Sequence, residues 1–262
     1  MSVEMTVFPS DKKQGPCDQV FSVEEAKKAL AFHKKLDGYQ PTPLRCLSAL
    51  AVKLGVAGLY VKDESKRFGL NAFKGLGGSY ALGRVIADKL GKDIDEVGEI
   101  PEGSFTFVTA TDGNHGRGVA WAAKNLKQHA VVYMPKGSSK ERLENIRRLG
   151  ADAEITDFNY DDTVRFAKTQ AEKHGWTLVQ DTAWEGYERI PSWIMQGYTT
   201  MGMEITEQLH GVVPTHIFLQ AGVGAMAGAM TGFFSNYFGE NMPKLIIVEP
   251  DKADCLYHTA KA

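Results

Sequence analysis

One lysine of this chain has an unusual setting for its residue type. Lys74 follows the aromatic Phe73 and is followed at once by a glycine-rich stretch that begins at Gly75 and then by a helix-like run at 79–82. The positive end of a helix dipole disfavours a second cation, so this position biases Lys74 towards the neutral amine. A neutral amine is the form that makes a Schiff base with a carbonyl group. Taken alone, the fragment also fits a surface lysine beside a tight turn.

A second segment with chemical potential is the turn TATDGNHGRG at 109–118. It follows a β-rich run and precedes an apolar helical run, and its glycines let backbone amides approach a ligand closely. Asn114 offers both a donor and an acceptor, and Asp112 adds a carboxylate. His115 has no second histidine or acid at metal-ligand spacing, so a structural histidine is favoured and no metal site is predicted.

A third segment is a glycine-rich turn made of Gly222, Val223, Gly224, Ala225 and Met226. It follows a strand-like run at 216–219 and opens another helix. Amides at a helix N-terminus, assisted by the helix dipole, can hold one phosphate group. The sequence therefore predicts a phosphate-binding turn here.

The same turn also fits a different class of protein. Residues 222–227 match G-x-G-x-x-A after a strand, and Glu249 ends the next strand, where a Rossmann domain holds the ribose. Read alone, residues 215–250 indicate an NAD-binding domain, but that pattern is degenerate and leaves 62–74 and 111–121 without a role. A catalytically inactive binding fragment is a further alternative.

Taken in order, the three segments resemble the fold-type II pyridoxal-phosphate enzymes, which include the serine/threonine dehydratases and tryptophan synthase β. The resemblance runs from about Phe32 to the last residue and is carried by 62–74, 111–121, 180–187 and 248–255. A typical dehydratase turn has serine where this chain has Asp112, which favours the ammonia-lyases of 2,3-diaminopropionate. The resemblance implies pyridoxal 5'-phosphate as cofactor and α,β-elimination to pyruvate and ammonia. A serine/threonine dehydratase-like lyase is the alternative.

The resemblance also implies a role for each site residue. Lys74 holds the cofactor and later removes the α-proton from one face, while Phe73 packs on the cofactor ring and Asn114 bonds its phenolic oxygen. Asp112 is a second base on the opposite face, which would explain the use of both enantiomers, or else an Asx-turn acid at the Asp-Gly corner. Asp181 holds the second ammonium of the substrate, or else caps a helix N-terminus.

The elements that must position these residues alternate in the middle of the chain. Strand-like runs and helix-like runs follow each other at a spacing typical of βαβ units and a parallel sheet. The strands are predicted near 105–110, 130–134, 153–156 and 177–180, and the helices near 115–127, 139–149 and 161–174. Asp112 and Asp181 fall just past strand ends, at the sheet edge where ligands bind in open α/β folds.

A second βαβ unit is predicted late in the chain, with strands at 215–220 and 244–248 around a helix at 224–238. We expect two open parallel-sheet α/β domains. The large one takes 1–86, where a strand-like run at 58–62 joins its sheet, and 188–262, and the small one takes 87–187. Members of the family continue well beyond Ala262, so the large domain is expected to be truncated and the chain poorly active. Residues 1–20 are predicted to form an irregular arm.

Composition narrows the classes of partner. The chain has 262 residues, 43% of them hydrophobic, and a net charge of −2 without a long basic run, so neither nucleic acid nor an anionic membrane is a predicted partner. Cys17, Cys46 and Cys255 are scattered, and no signal peptide is visible, which favours the cytoplasm. The uncharged run 217–234 contains glycines and fits a βα unit. The predicted partners are a small amino acid and a second copy of the chain in a homodimer.

Overall fold

The computed structural model describes residues 5–7, 19–98 and 100–262, so most of the predicted arm at 1–20, with Cys17, lies outside the described residues. Helices and strands alternate along the described part. The helices are α1 (Val23–Lys34), α2 (Ser48–Leu54), α3 (Lys74–Lys89), α4 (Asn114–Asn125), α5 (Lys140–Arg147), α6 (Tyr160–His174), α7 (Arg189–Gln208), α8 (Ala225–Phe238) and α9 (Cys255–Lys261). The strands are β1 (Leu44–Cys46), β2 (Tyr60–Lys62), β3 (Thr106–Ala110), β4 (His129–Met134), β5 (Asp152–Ile155), β6 (Thr177–Leu178), β7 (His216–Gln220) and β8 (Lys244–Val248).

Strands β3 to β6 form one parallel sheet in the order β5-β4-β3-β6, which confirms the α/β class and the parallel sheet predicted from the alternation. Four of the five residues of β3 are buried, as expected for a central strand covered on both faces. Gly175 ends α6 in the left-handed conformation, with φ of 68°. Because the strands are parallel, the loops after β3 and β6 open at the same edge of the sheet.

The other strands form two pairs. Strands β7 and β8 are parallel and joined through α8, as predicted for the late βαβ unit. The sequence pattern also placed the strand-like run at 58–62 in the parallel sheet of the large domain, and this detail was wrong. Strand β2 pairs antiparallel with β1, with Leu44 opposite Lys62. The two strands are separated only by α2, so this local pairing closes a short loop at low entropic cost.

Helix α7 is the central helix of the fold and packs against α1, α3 and α8. This helix was not predicted from the sequence. Glycines allow its close contact with α3, since a Cβ at Gly197 would lie 2.6 Å from the Leu76 carbonyl oxygen and a Cβ at Gly77 would lie 2.5 Å from Tyr198 Cε1. The contact holds α3, the helix that begins with Lys74. In the described part of the chain, no helix has the length and apolar character needed to cross a membrane.

Candidate active site

Lys74 is the first residue of α3, and its ammonium meets a carboxylate from a distant part of the chain. Lys74 Nζ donates to Asp181 Oδ2 at 2.5 Å. The Asp181 side chain is 9% exposed and that of Lys74 is 27% exposed, so the pair is largely buried but solvent still reaches the lysine. The Asp181 carboxylate compensates the lysine charge at the helix N-terminus, an effect not included in the prediction from the helix dipole.

The segment that leads into Lys74 is held by a buried ion pair. The Arg67 guanidinium is fully buried. Its two terminal nitrogens each donate a hydrogen bond of 2.8 Å to one carboxylate oxygen of Glu204, and it also binds Glu64. The next residue, Phe68, has φ of 50°, a conformation that bulky side chains rarely adopt. Its ring stacks on Trp121 with centroids 4.0 Å apart. These contacts hold a strained turn at Phe68, within the segment that leads into the lysine.

Asp181 is positioned by its neighbour Gln180, whose side-chain amide extends the β3–β6 ladder. Gln180 Nε2 donates to the Ala110 carbonyl at 3.0 Å, and its Oε1 accepts from the Ala110 amide at 3.1 Å. The Tyr187 hydroxyl accepts from the Gln180 amide at 2.8 Å. The next helix begins at Arg189, so Asp181 is not the helix cap that the sequence left open. No role for Gln180 was predicted from the sequence, although its amide stands directly beside a strand-end carboxylate.

The charges around Asp181 determine its protonation state. Burial alone would raise the pKa of the Asp181 carboxyl, but His115 and Lys74 outweigh it and bring that pKa to about 2. The pKa of His115 is lowered, first by burial and also by the Lys74 charge. Asp181 is therefore a carboxylate at neutral pH, and it binds the Lys74 ammonium in that form.

The turn after β3 brings Asp112 and Asn114 to the same sheet edge, where both side chains are exposed. Thr111, rather than Asp112, makes the side-chain hydrogen bonds to the backbone amides of this turn. The Thr111 hydroxyl accepts from the amides of Gly113 at 3.0 Å and Gly116 at 3.2 Å. Thr111 thus supports the corner, and the Thr-Asp-Gly pattern could have revealed it. The Asp112 carbonyl accepts from Arg142 Nη1 at 2.9 Å.

The glycine turn at 222–226 lies after β7, and its residues run into α8. Gly224 has φ of 93° and precedes the helix without a side-chain hydrogen bond to cap it. A Cβ at Gly222 would meet nothing within 4 Å, and Val223 is 62% exposed. The exposed part of the turn is therefore Gly222 and Val223, just before the uncapped start of α8. Helix α7 connects this turn with the lysine, because it packs against both α3 and α8.

Glu249 does not serve the role that the NAD-binding alternative required. Its two carboxylate oxygens accept from the backbone amides of Leu256 at 3.0 Å and Tyr257 at 2.9 Å, at the start of α9. A carboxylate used in this way caps a helix. The described residues also contain no group of three or more histidine, cysteine or acidic side chains placed to hold a metal ion.

A buried tyrosine that the sequence did not indicate completes the wall behind the lysine. Tyr198 of α7 is inaccessible to solvent, and its ring meets the edge of Phe73 with centroids 5.1 Å apart. Its hydroxyl has no hydrogen-bond partner in the described part of the chain, and burial raises its pKa well above the ordinary value. Phe73 is thereby held in place beside Lys74.

The candidate site combines a lysine at a helix start, a carboxylate at a parallel-sheet edge and an uncapped glycine turn. A comparison with protein families gives the class of enzyme to which these features belong. Residues 35–262 match the family described as pyridoxal-phosphate dependent enzyme, and the chain belongs to that family. Pyridoxal phosphate is therefore its cofactor, and the fold is fold-type II. This membership also excludes the NAD-binding alternative.

Within the family, the chain is similar to diaminopropionate ammonia-lyases. It is 54% identical to that of Escherichia coli strain K12 over 98% of this chain and 67% of the relative. It is 57% identical to that of Salmonella typhimurium strain LT2 over 89% of this chain and 61% of the relative. The crystal structure of the Escherichia coli enzyme in complex with an aminoacrylate-PLP azomethine reaction intermediate superposes with a TM-score of 0.89 at 54% identity, covering 96% of this chain and 66% of that one. The chain thus spans about two thirds of the length of these relatives.

Proposed function

We propose that this chain carries the lysine and carboxylate machinery of a pyridoxal-phosphate-dependent ammonia-lyase that converts 2,3-diaminopropionate to pyruvate and ammonia. The observation that carries the proposal is the Lys74–Asp181 pair at 2.5 Å, formed at the sheet edge that also presents Asp112. Identity of 54–57% to diaminopropionate ammonia-lyases supports the choice of substrate.

The residues present fit the cofactor. Lys74 offers a partly exposed amine for the aldehyde carbon. Residues 222–226 offer uncapped amides for the phosphate, with a left-handed Gly224 that aims them. Asn114, exposed at the start of α4, is the proposed partner of the phenolic oxygen, and Phe73 is proposed to flank the ring. When bound, the cofactor supplies an electron sink for the α-carbon of an amino acid.

The reaction then needs proton transfer and recognition of a second ammonium, and the chain has groups for both. Once its amine is free, Lys74 is proposed to remove the α-proton from one face of the substrate. Asp112 is proposed to remove it from the other face, which serves the other enantiomer. Asp181 already binds an ammonium in this structure, and we propose that it holds the β-ammonium of the substrate while that group leaves.

Chemical trapping tests this assignment. The protein is loaded with pyridoxal phosphate, reduced with borohydride and digested, and the peptides are mapped by mass spectrometry. We expect the pyridoxyl group on Lys74 and none in the Lys74→Ala variant, with Lys66→Ala as a lysine control. Modification at another lysine of the wild type contradicts the assignment. Release of pyruvate from 2,3-diaminopropionate, compared with release of the 2-oxo acid from L-serine and from L-threonine in separate reactions, tests the substrate.

Three further points remain proposals. The domain division is 1–86 and 188–262 for the large domain and 87–187 for the small one, and the described four-stranded sheet falls within 87–187. We propose a homodimer, which sedimentation equilibrium can test. We also propose a cytoplasmic location, supported by the free thiols of Cys46 and Cys255 in the described part of the chain.

A further inference from the structure

His115 has one ring nitrogen with an evident structural role and one without. It lies in the first turn of α4 with 4% of its side chain exposed. Nε2 lies 2.8 Å from the Val179 carbonyl oxygen, which can only accept, so Nε2 carries a hydrogen. Nδ1 is buried and has no hydrogen-bond partner among the described residues. The interpretation as a structural histidine therefore accounts for only half of the ring.

The unpartnered nitrogen faces the carboxylate of the lysine pair. His115 Nδ1 lies 3.7 Å from Asp181 Oδ2, the same oxygen that accepts from Lys74 Nζ. In the neutral ring this nitrogen presents a lone pair, and two buried acceptors facing each other are unfavourable unless a proton joins them. The Lys74 ammonium removes that need as long as it neutralises Asp181 itself.

We propose that His115 is the proton-holding partner of Lys74, so that when Lys74 gives up its positive charge, His115 Nδ1 gains a proton and becomes the cation paired with Asp181. The balance is one proton: an N–H bond of the Lys74 ammonium breaks, and an N–H bond at His115 Nδ1 forms. Asp181 Oδ2 accepts from Lys74 Nζ at 2.5 Å and lies 3.7 Å from His115 Nδ1, so a small approach of the ring would let this oxygen relay the proton. The net charge of the three side chains does not change, so the buried carboxylate is never left without a cation.

The charged groups around the ring agree with this exchange. From α3 comes the Lys74 ammonium, and from the loop after β6 come the Asp181 carboxylate and the Val179 carbonyl. Arg142 of α5 is engaged by the Asp112 carbonyl. Burial lowers the pKa of His115, Asp181 raises it and Lys74 lowers it again. Loss of the Lys74 charge therefore raises the pKa of the ring, because the effect of Asp181 is no longer opposed.

In the proposed function, His115 is a positioning residue that acts through Asp181. The inference rests on that function for its use but not for its test. The proposed removal of the α-proton needs the neutral amine of Lys74, and His115 would then preserve the carboxylate form of Asp181 that substrate binding needs. The protonation exchange itself belongs to three side chains of the cofactor-free protein and can be measured there.

The test is a nitrogen-15 NMR titration of the histidine rings in the cofactor-free 262-residue chain, with His115 assigned by comparison with His115→Gln. Lys74→Met removes the charge, and Lys74→Arg is the matched control that keeps it. We expect the His115 midpoint to rise by at least about one pH unit in Lys74→Met, the usual effect of a nearby charge, and to stay near the wild-type value in Lys74→Arg. Lys74→Met with Asp181→Asn should return the midpoint to a low value.

An unchanged His115 midpoint in Lys74→Met, in a protein with a native near-ultraviolet circular dichroism spectrum, overturns the proposal. So does a proton found on the Asp181 carboxyl by carbon-13 chemical shift. Lys74→Gln repeats the measurement should Lys74→Met not fold. A chain that passes this test and releases no pyruvate from 2,3-diaminopropionate keeps the protonation exchange and loses the proposed function, so the two outcomes are separable.

Discussion

The two ends of the candidate site differ in what forms them: side chains form the lysine end, and backbone forms the glycine end. The lysine end consists of ionisable side chains, with Lys74 Nζ and His115 Nδ1 both facing Asp181 Oδ2. The glycine end consists of backbone alone, in a turn whose residues Gly222 and Val223 are exposed. At the lysine end, charged groups lie in a largely buried environment. At the glycine end, backbone amide dipoles lie next to exposed residues.

The difference shows how each end can fail. At the lysine end, loss of a single charge leaves its neighbours uncompensated in a poorly solvated place. At the glycine end no side chain is needed, so function is lost only when a side chain is added. In the proposed function, the reaction thus depends on charged side chains at the lysine end and on the absence of side chains at the glycine end.

The largest expected effect comes from adding a side chain at the glycine end. In Gly224→Asp the new Cβ would lie 3.0 Å from Leu256 Cδ2 at a backbone φ of 93°, and the carboxylate would repel phosphate. Loss of two charge-assisted hydrogen bonds at about 2 kcal/mol each predicts pyridoxal-phosphate affinity weaker by about 10³-fold. Fluorescence titration with the cofactor measures it.

Gly224→Ala separates shape from charge at this position and should weaken binding much less than the aspartate variant. Equal affinity of Gly224→Asp and wild type would remove the turn from the phosphate site.

The next effect concerns the carboxylate at the rim of the lysine end. Asp112→Asn keeps the shape of the turn, which Thr111 supports, but removes the basic oxygen. Turnover of one enantiomer of 2,3-diaminopropionate, by our hypothesis the D form, should fall by about 10²-fold, the usual scale of a lost general base. Turnover of the other enantiomer should fall much less. Pyruvate release measured separately with each pure enantiomer of 2,3-diaminopropionate provides the comparison.

Asp157→Asn is the matched control for Asp112→Asn, since Asp157 is an exposed acid just after β5 of the same sheet. It should leave both enantiomers unaffected. Equal losses on both enantiomers in Asp112→Asn would mean that Asp112 binds the substrate generally, and the two-base scheme would be dropped.

A smaller effect is expected on stability at the lysine end. The pKa of Asp181 is about 2 in the folded protein and 3.8 for an unperturbed carboxyl, so its ionisation stabilises the fold at neutral pH by about 2 kcal/mol. Because the folded pKa is the lower one, this contribution is complete above pH 3.8 and is lost as the pH falls towards 2. Asp181→Asn should be less stable than wild type at pH 7 by about that amount.

Urea unfolding at pH 7, 4 and 2 measures this difference, which should disappear at the lowest pH. Asp157→Asn again serves as the control, with no pH-dependent difference. A gap between Asp181→Asn and wild type that stays constant down to pH 2 would show that the carboxylate has no charge-dependent role in stability.

Local features of the fold could be predicted from the sequence because their causes are local. Strand β4 and helix α6 were found to within a residue or two, since alternating apolar patterns and a terminating glycine act over a few positions. The antiparallel partner of β2 was not found, because pairing depends on which segment lies nearby in space. Helix α7 was also missed, although it is the helix on which α1, α3 and α8 pack.

For the site, the sequence by itself determined the kinds of chemistry available: an amine at a helix start, two carboxylates after strands and an uncapped glycine turn. Only the tertiary structure decided which groups meet. Lys74 and Asp181 are 107 residues apart, and nothing in the chain states that this carboxylate, rather than Asp112, receives the ammonium. The orientation of the His115 ring, with one nitrogen on a carbonyl and the other facing Asp181, was equally undetermined. Such pairings follow from how β3, β6 and α3 pack, and packing is a property of the whole chain.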